Sequence, residues 1–200
     1  MEGRTVHRLL LEMSDLAADV YAAQRPDAWV FENARRDRTD LPRTMAEFGT
    51  LGVLAVEGSQ GVEPLTDVRQ ITFERTERPG QGSLSAEMTN GLQLVLISPR
   101  EPGAENRRAL RDWADFVHIR HIAEAAVPGF RMITPYRGVD EGSPAFLHFY
   151  EMHTDDPEAA FQAMTPAVAD RLGGEDSEAF RGWAWHPQLR IDYVNTFRRV

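Results

Sequence analysis

The sequence predicts an α+β protein, with a βαββαβ unit in the second half and a shorter pattern related to it in the first. Three observations predict this. From residue 92 on, apolar strand-like runs and helical stripes follow one another as strand, helix, strand, strand, helix, strand. Such an order sets helices on one face of a sheet built from sequential strands. Finally, Arg25-Pro26-Asp27-Ala28-Trp29 and Val127-Pro128-Gly129-Phe130-Arg131 punctuate the two halves at corresponding points.

In chain order, VHRLLLEMSDLAADVYAAQ (6–24) places Leu9, Leu10, Met13, Leu16, Ala17, Val20 and Tyr21 on a helical stripe. Pro26 ends it, because the residue before a proline avoids the helical region. AWVFENA is a short strand and RRDRTDLPRTMAEFGT a long loop; LGVLAVEG and VRQITFER are strands. PGQGSLSAEMTNG, rich in Gly, Ser and Asn, is expected to link the halves. LQLVLIS is a strand, ENRRALRDWADFVHIRHIAEAA an amphipathic helix, and GFRMITPYRG and AFLHFYEM two strands. DPEAAFQAMTPAVADRL is a helix capped by Asp155 or Asp156. GGEDSEAFRGWAWHPQ is longer than an ordinary connection and is expected to form a helix or a lid, before LRIDYVNTFRR closes the unit.

The division is therefore 1–88, a truncated copy, and 89–200, a complete unit. LGVLAVE (51–57) lies over AFLHFYE (145–151), which sets His148 opposite Leu54 and ends both runs in glutamate, Glu57 and Glu151. The helices fit only after a slip of one residue, which moves the counterpart of His121 from Asp19 to Val20. The first half also shows no convincing first strand. The sheet of 92–200 leaves an open face, expected to be covered by residues 27–75 or by a second subunit.

Composition excludes several chemistries. The chain has no cysteine, and all 22 of its Lys+Arg residues are arginine, a bias of the kind GC-rich bacterial coding produces. Thiolate nucleophiles, disulfides, lysine Schiff bases and P-loop lysines are therefore impossible. A net charge of −9 disfavours nucleic acid. The cluster Arg35, Arg36, Arg38 and Arg43, broken by Asp37 and Asp40, reads more simply as a solvated loop than as an anion site. No apolar run approaches the ~20 residues that span a bilayer. MEGRTVHRLLLEM lacks the apolar core of a signal peptide, so a cytoplasmic location is expected, with no membrane partner. No Gly-rich phosphate loop and no G-x-S-x-G elbow occurs.

The helix DWADFVHIRHIAEAA, the VPGF that follows it and the strand FLHFYEM resemble the EthD-like branch of the dimeric α+β barrel (ferredoxin-like) superfamily, best over residues 92–170. ENARRDRTDLPR and FGTLGVLAVE resemble, more weakly, the first half of its tandem members. The resemblance implies two ferredoxin-like βαββαβ units whose sheets form a barrel, as a homodimer or as a pseudodimer within one chain. It also implies a pocket between sheet and helices in each unit. Relatives include cofactor-free monooxygenases, cyclases, isomerases and lyases of aromatic or polyketide metabolism, and haem-binding proteins. The fold does not fix the reaction.

On the long helix, Leu110, Trp113, Ala114, Val117 and His121 form one stripe at ~100° per residue, so His121 is expected to face the sheet. His118 lies roughly 60° away, at the stripe's edge, where a solvated position is the plainer reading. Phe146, His148, Tyr150 and Met152 share one face of their strand, and Leu147, Phe149 and Glu151 the other. Which face meets the helices is open. If it is that of His148, then His121, His148 and Tyr150 converge on a cavity beneath the 105–126 helix. There a histidine would act as general acid–base, and Tyr150 or Tyr136 would bond a developing oxyanion. Trp113, Phe116, Met132 and Phe146 would wall in a hydrophobic substrate.

Each of these residues has a plain structural alternative: a core histidine bonded to a carbonyl, or aromatic packing. His118, His121 and Glu124, spaced by three, could face a metal, but they spread over about 120° and need a further ligand. Haem on His121 or His148 is a further alternative. Two functional readings stand. One is a cofactor-independent enzyme acting on an aromatic or polyketide-like carbonyl compound; the other is a protein that binds such a ligand without turnover.

Overall fold

The computed structural model describes residues 7–56, 62–76, 89–140 and 144–200. Glu57 and most of the expected 79–91 linker lie outside them. The eight strands are β1 (Arg8–Ser14), β2 (Trp29–Asn33), β3 (Thr50–Ala55), β4 (Arg69–Arg75), β5 (Gly91–Pro99), β6 (Phe130–Gly138), β7 (Phe146–Met152) and β8 (Leu189–Arg199). Between them lie α1 (Ala18–Gln24), α2 (Ala104–Trp113), a π-turn (Ala114–His118), α3 (Ile119–Glu124), α4 (Pro157–Leu172) and α5 (Glu178–Ala184).

All strand pairs are antiparallel and close one barrel, in the order β1-β3-β2-β8-β5-β7-β6-β4, with β4 returning to β1. Within each half the order is fourth, first, third, second strand: β4-β1-β3-β2 and β8-β5-β7-β6. The open face expected of 92–200 is thus covered from within the same chain. The seams are β2 on β8 and β4 on β6.

One correction concerns residues 6–24. The expected long helix is instead β1 followed by the short α1. The apolar spacing of RLLLEMS satisfies a helical stripe, yet pairing with β3 and β4 decides the matter. Leu9, Leu11 and Met13 then point into the barrel, so the missing first strand of the first half was hidden inside a helical pattern. Val20 is 45% exposed, and α1 is anchored by Tyr21.

The barrel interior is apolar and filled: Phe31, Phe73, Leu94, Leu147, Phe149 and Phe197 belong to one buried cluster. Period-two alternation sends the opposite set outward, toward the helices. Of the two faces of β7, Leu147 and Phe149 point inward, and His148 and Tyr150 therefore meet the helices.

The helical caps follow the sequence. Asp156 accepts from the Ala159 backbone N–H at 2.9 Å, with Pro157 in the first turn of α4. The 173–188 segment does form a helix, α5, capped by the Ser177 hydroxyl accepting from Phe180 N–H at 3.0 Å. No helix among the described residues is long and apolar enough to cross a membrane.

Candidate functional site

The outward face of β5, β7 and β8 and the overlying α2, α4 and α5 enclose a cavity of about 420 Å³. Val95, Ile97 and Ile191 line it from the sheet, Phe161 and Met164 from α4, and Phe180 and Trp183 from α5. Leu41, from the loop between β2 and β3, completes the wall. Two histidines, His118 and His148, line it as well.

His148 is 2% exposed, between Val95 of β5 and Pro135 of β6 in the strand register. No described residue hydrogen-bonds to its ring. Burial, with His118 nearby, lowers its pKa to about 3. His118 is partly buried and stacks on Trp183 at 5.1 Å between ring centroids, with Trp113 at 5.0 Å on a tilted ring. Its Nδ1 donates to the Trp183 carbonyl at 3.0 Å. That bond fixes the tautomer and leaves Nε2 as a free lone pair on a cavity-lining ring. Burial lowers its pKa to about 4, despite the opposing effect of that hydrogen bond. Both imidazoles are neutral at pH 7.

His121 does not reach this cavity, contrary to the expected helical stripe. Its Nδ1 lies 3.5 Å from Glu124, with the side chain 26% exposed. The cause is the π-turn at Ala114–His118. One extra residue in a turn advances everything after it by about 100°. The sheet-facing positions therefore move from 117 and 121 to 118 and 122: His118 enters the cavity and Ile122 is 1% exposed. His118, His121 and Glu124 follow one another at steps of three into α3 and so spread around it, as the spacing implies. Among the described residues, no group of three His, Asp or Glu side chains is placed to hold a metal ion.

The remaining candidates scatter. Trp113 lines the cavity and donates from its indole N–H to the Gly182 carbonyl at 2.8 Å. Phe146 packs with Leu110 and Trp113 beside it. Tyr150 shares the face of His148 but is built into the cluster of Ile122, Met164 and Val168; burial raises its pKa. Tyr136 points into the barrel, 1% exposed, so it does not meet the histidines. Burial, reinforced by Glu151, raises its pKa too. Phe116 (49% exposed) and Met132 line a different cleft of about 410 Å³, between α3 and β6. The π-turn and the alternation of β6 carry these residues away from the first cavity.

Two parts of the site were not singled out in the sequence. Gln93, the one polar residue inside LQLVLI, lines the cavity at 2% exposure. Phe161, Met164, Thr165 and Val168 repeat at helical spacing along α4, a signal that was readable; the first three line the cavity. The arginine cluster also differs from expectation. Arg38 is 1% exposed, donates to Asn195 Oδ1 at 2.9 Å and to Asp40 at 3.2 Å, and is hydrogen-bonded to Glu158. Its guanidinium lies 4.6 Å over the Phe161 ring, so it fixes the loop that carries Leu41 against α4.

No family model and no curated protein matches this sequence. Solved structures do match it in shape. One, described as a major regulator of staphylococcal pathogenesis, superposes with a TM-score of 0.55 at 10% identity, over 96% of this chain and 99% of that chain. Another, an anthrone oxidase-like protein, gives 0.57 at 14% identity, over 100% and 94%. At these identities the likeness shows the fold alone: an eight-stranded antiparallel α+β barrel, closed here within one chain.

Proposed function

We propose that the cavity is the active site of a cofactor-independent enzyme acting on a hydrophobic, aromatic or polyketide-like carbonyl compound. The observation that carries this reading is the pair of neutral imidazoles in an apolar cavity, one of them without a hydrogen-bond partner among the described residues. His118 Nε2, unprotonated because Nδ1 is engaged, takes a proton from carbon next to the carbonyl. The unpartnered His148 donates its N–H to the developing enolate oxygen. A base with a pKa of about 4 is weak, so the carbanion must be strongly delocalised, as in ketones that aromatise on deprotonation. Isomerisation, cyclisation, dehydration or addition of dioxygen to the anion would follow from the same first step.

The finer structural reading belongs to the same proposal. The two halves, 1–88 and 89–200, are ferredoxin-like units of EthD-like type, the first a truncated copy. The identical strand order of the halves supports this.

The test uses an anthrone, the compound class named for one of the structural neighbours, with absorbance and oxygen uptake followed at pH 7. Turnover should fall by roughly 10²–10⁴ in His148→Ala and in His118→Ala. Full activity in the double variant would overturn the catalytic reading. A second reading, binding without turnover, is favoured by the low basicity of both imidazoles; saturable binding with no conversion of any such ketone would select it. A visible spectrum of the purified protein distinguishes a haem-bound form from both.

A further inference from the structure

The cleft between α3 and β6 has a volume of about 410 Å³, close to that of the first cavity, and the two share no lining residue. Ile119, Ile122, Val127, Phe130 and Ile133 give it an apolar floor, and Phe116, 49% exposed, adds a half-bare ring. A concave apolar surface left open to water is a common mark of a ligand groove.

A bulge in β6 puts a cation on its wall. Phe130 lies opposite Met152 and Met132 opposite Glu151, so Arg131 is the extra residue, with no partner across the strands. In an unbroken strand Phe130 and Ile133 would point to opposite faces. The bulge lets both pack on the helix side and leaves Arg131 between them at the cleft. Arg131 is exposed and has no hydrogen bond or ion pair with a described residue. The other charges of the wall are already matched: Glu124 accepts from Arg120 at 2.8 Å and from Arg171 at 2.5 Å, and Asp115 lies 3.7 Å from Arg111. Four guanidinium groups thus meet two carboxylates, a local positive excess on a chain whose net charge is −9.

From this we infer that the cleft is a second binding site, for a small amphipathic carboxylate whose apolar body covers Phe116 and the floor and whose head group pairs with Arg131. The guanidinium presents parallel N–H donors that match the two carboxylate oxygens. Because Arg131 is exposed, the head group stays at the water-facing rim, and the cost of burying an ion does not arise. The first cavity has no arginine in its wall and carries Glu175 instead, so the two sites differ in the charge they accept. The inference does not rest on the function proposed for the first cavity.

Three probes with one chain length test it at pH 7: octanoate, octanol and octylammonium, each titrated while the backbone amides are followed by NMR. Octanoate should shift the amides of 119–133 and bind there roughly three- to tenfold more tightly than octanol, with octylammonium weakest. Arg131→Gln should bring octanoate down to the affinity of octanol and leave octanol unchanged, and high salt should narrow the same margin in the parent. Ala123, exposed on α3, lines the cleft; Ala123→Trp fills it and should abolish the shifts at 119–133 with all three probes. Octanoate that binds no better than octanol would overturn the inference, as would a preference that survives Arg131→Gln. Shifts at 119–133 that persist in Ala123→Trp, or octanoate shifts confined to 93–97 and 161–165 around the first cavity, would place the ligand elsewhere and overturn it too. An absence of any shift with octanoate sinks the site.

Discussion

His118 and Trp183 are joined twice: His118 Nδ1 donates to the Trp183 carbonyl at 3.0 Å, and the Trp183 indole N–H donates back to the His118 carbonyl at 3.1 Å. The π-turn ends at His118, and α5 is a helix of 7 residues whose Trp183 packs with Ile122, Tyr150 and Met164. With the Trp113 indole on Gly182, this reciprocal pair pins α5 over the cavity. Trp183→Phe keeps the backbone acceptor but removes the returning bond and part of a 3%-exposed ring. It should cost about 1–3 kcal/mol in urea unfolding. Amide exchange in 178–184 should rise more than in β5. Uniform exchange changes across the protein would show that α5 is not pinned there.

The π-turn also decides which histidine matters. His121 faces Glu124 beside Arg120 and Arg171, so His121→Ala should leave ligand binding and any activity within about twofold of the parent. His118→Ala should weaken both, since it removes a cavity wall and the free Nε2 together. His118→Asn restores a polar group there and should recover binding better than activity. Both imidazoles stay neutral down to about pH 4, so a kcat/KM profile should show no acidic limb from them above pH 5. A strong effect of His121→Ala would contradict this assignment.

The limits of the sequence lie at identifiable residues. The strands and helices of 91–199 were legible, as was the shared face of His148 and Tyr150, because period-two and helical patterns survive wherever one side is apolar. The π-turn left no mark: DWADFVHIRHI reads as an unbroken helix, and a one-residue advance exchanges His121 for His118. RLLLEMS fitted both periods, and only its pairing with β3 and β4 resolves it. Arg38 looked solvated because its partners, Glu158 and Asn195, lie more than a hundred residues away in sequence.

The burial of His148 predicts acid lability of a definite sign. Its folded pKa, about 3, lies below the ordinary histidine value of 6.5. Between those values the unfolded chain binds the proton more readily, so stability falls as pH drops through that window and levels off above it. At pH 4.5 the penalty relative to pH 7.5 should be about 2–3 kcal/mol, two pH units at ~1.4 kcal/mol each. His148→Leu removes that titration, so its urea-unfolding free energy should drop less than the parent's over the same interval. Equal drops in the two proteins would show that His148 is not buried neutral.

In the first half, Glu12 takes the place that apolar residues fill in the second. It is fully buried on the outer face of β1, where Arg25 donates to it at 2.9 and 3.0 Å and Gln70 at 2.7 Å; Tyr21 also donates its hydroxyl. Gly52 makes room, since a Cβ there would lie 1.8 Å from the Tyr21 hydroxyl oxygen. Burial alone would push the Glu12 pKa up, but the hydrogen bonds from Arg25, Tyr21 and Gln70 outweigh it and hold the carboxyl below the usual range. Arg25→Ala strips the counter-charge from a buried carboxylate and should cost about 3–5 kcal/mol at pH 7. Because the folded pKa is depressed, the stabilisation is present above the ordinary carboxylate value of about 4.5 and is lost as pH falls through the folded pKa. The gap between parent and Arg25→Ala should therefore narrow when unfolding is repeated at pH 3.5. In the variant, Glu12 can take up a proton and cease to be an unpaired charge. A gap that stays constant or widens toward acid would mean that Arg25 acts through packing and not through the charge of Glu12.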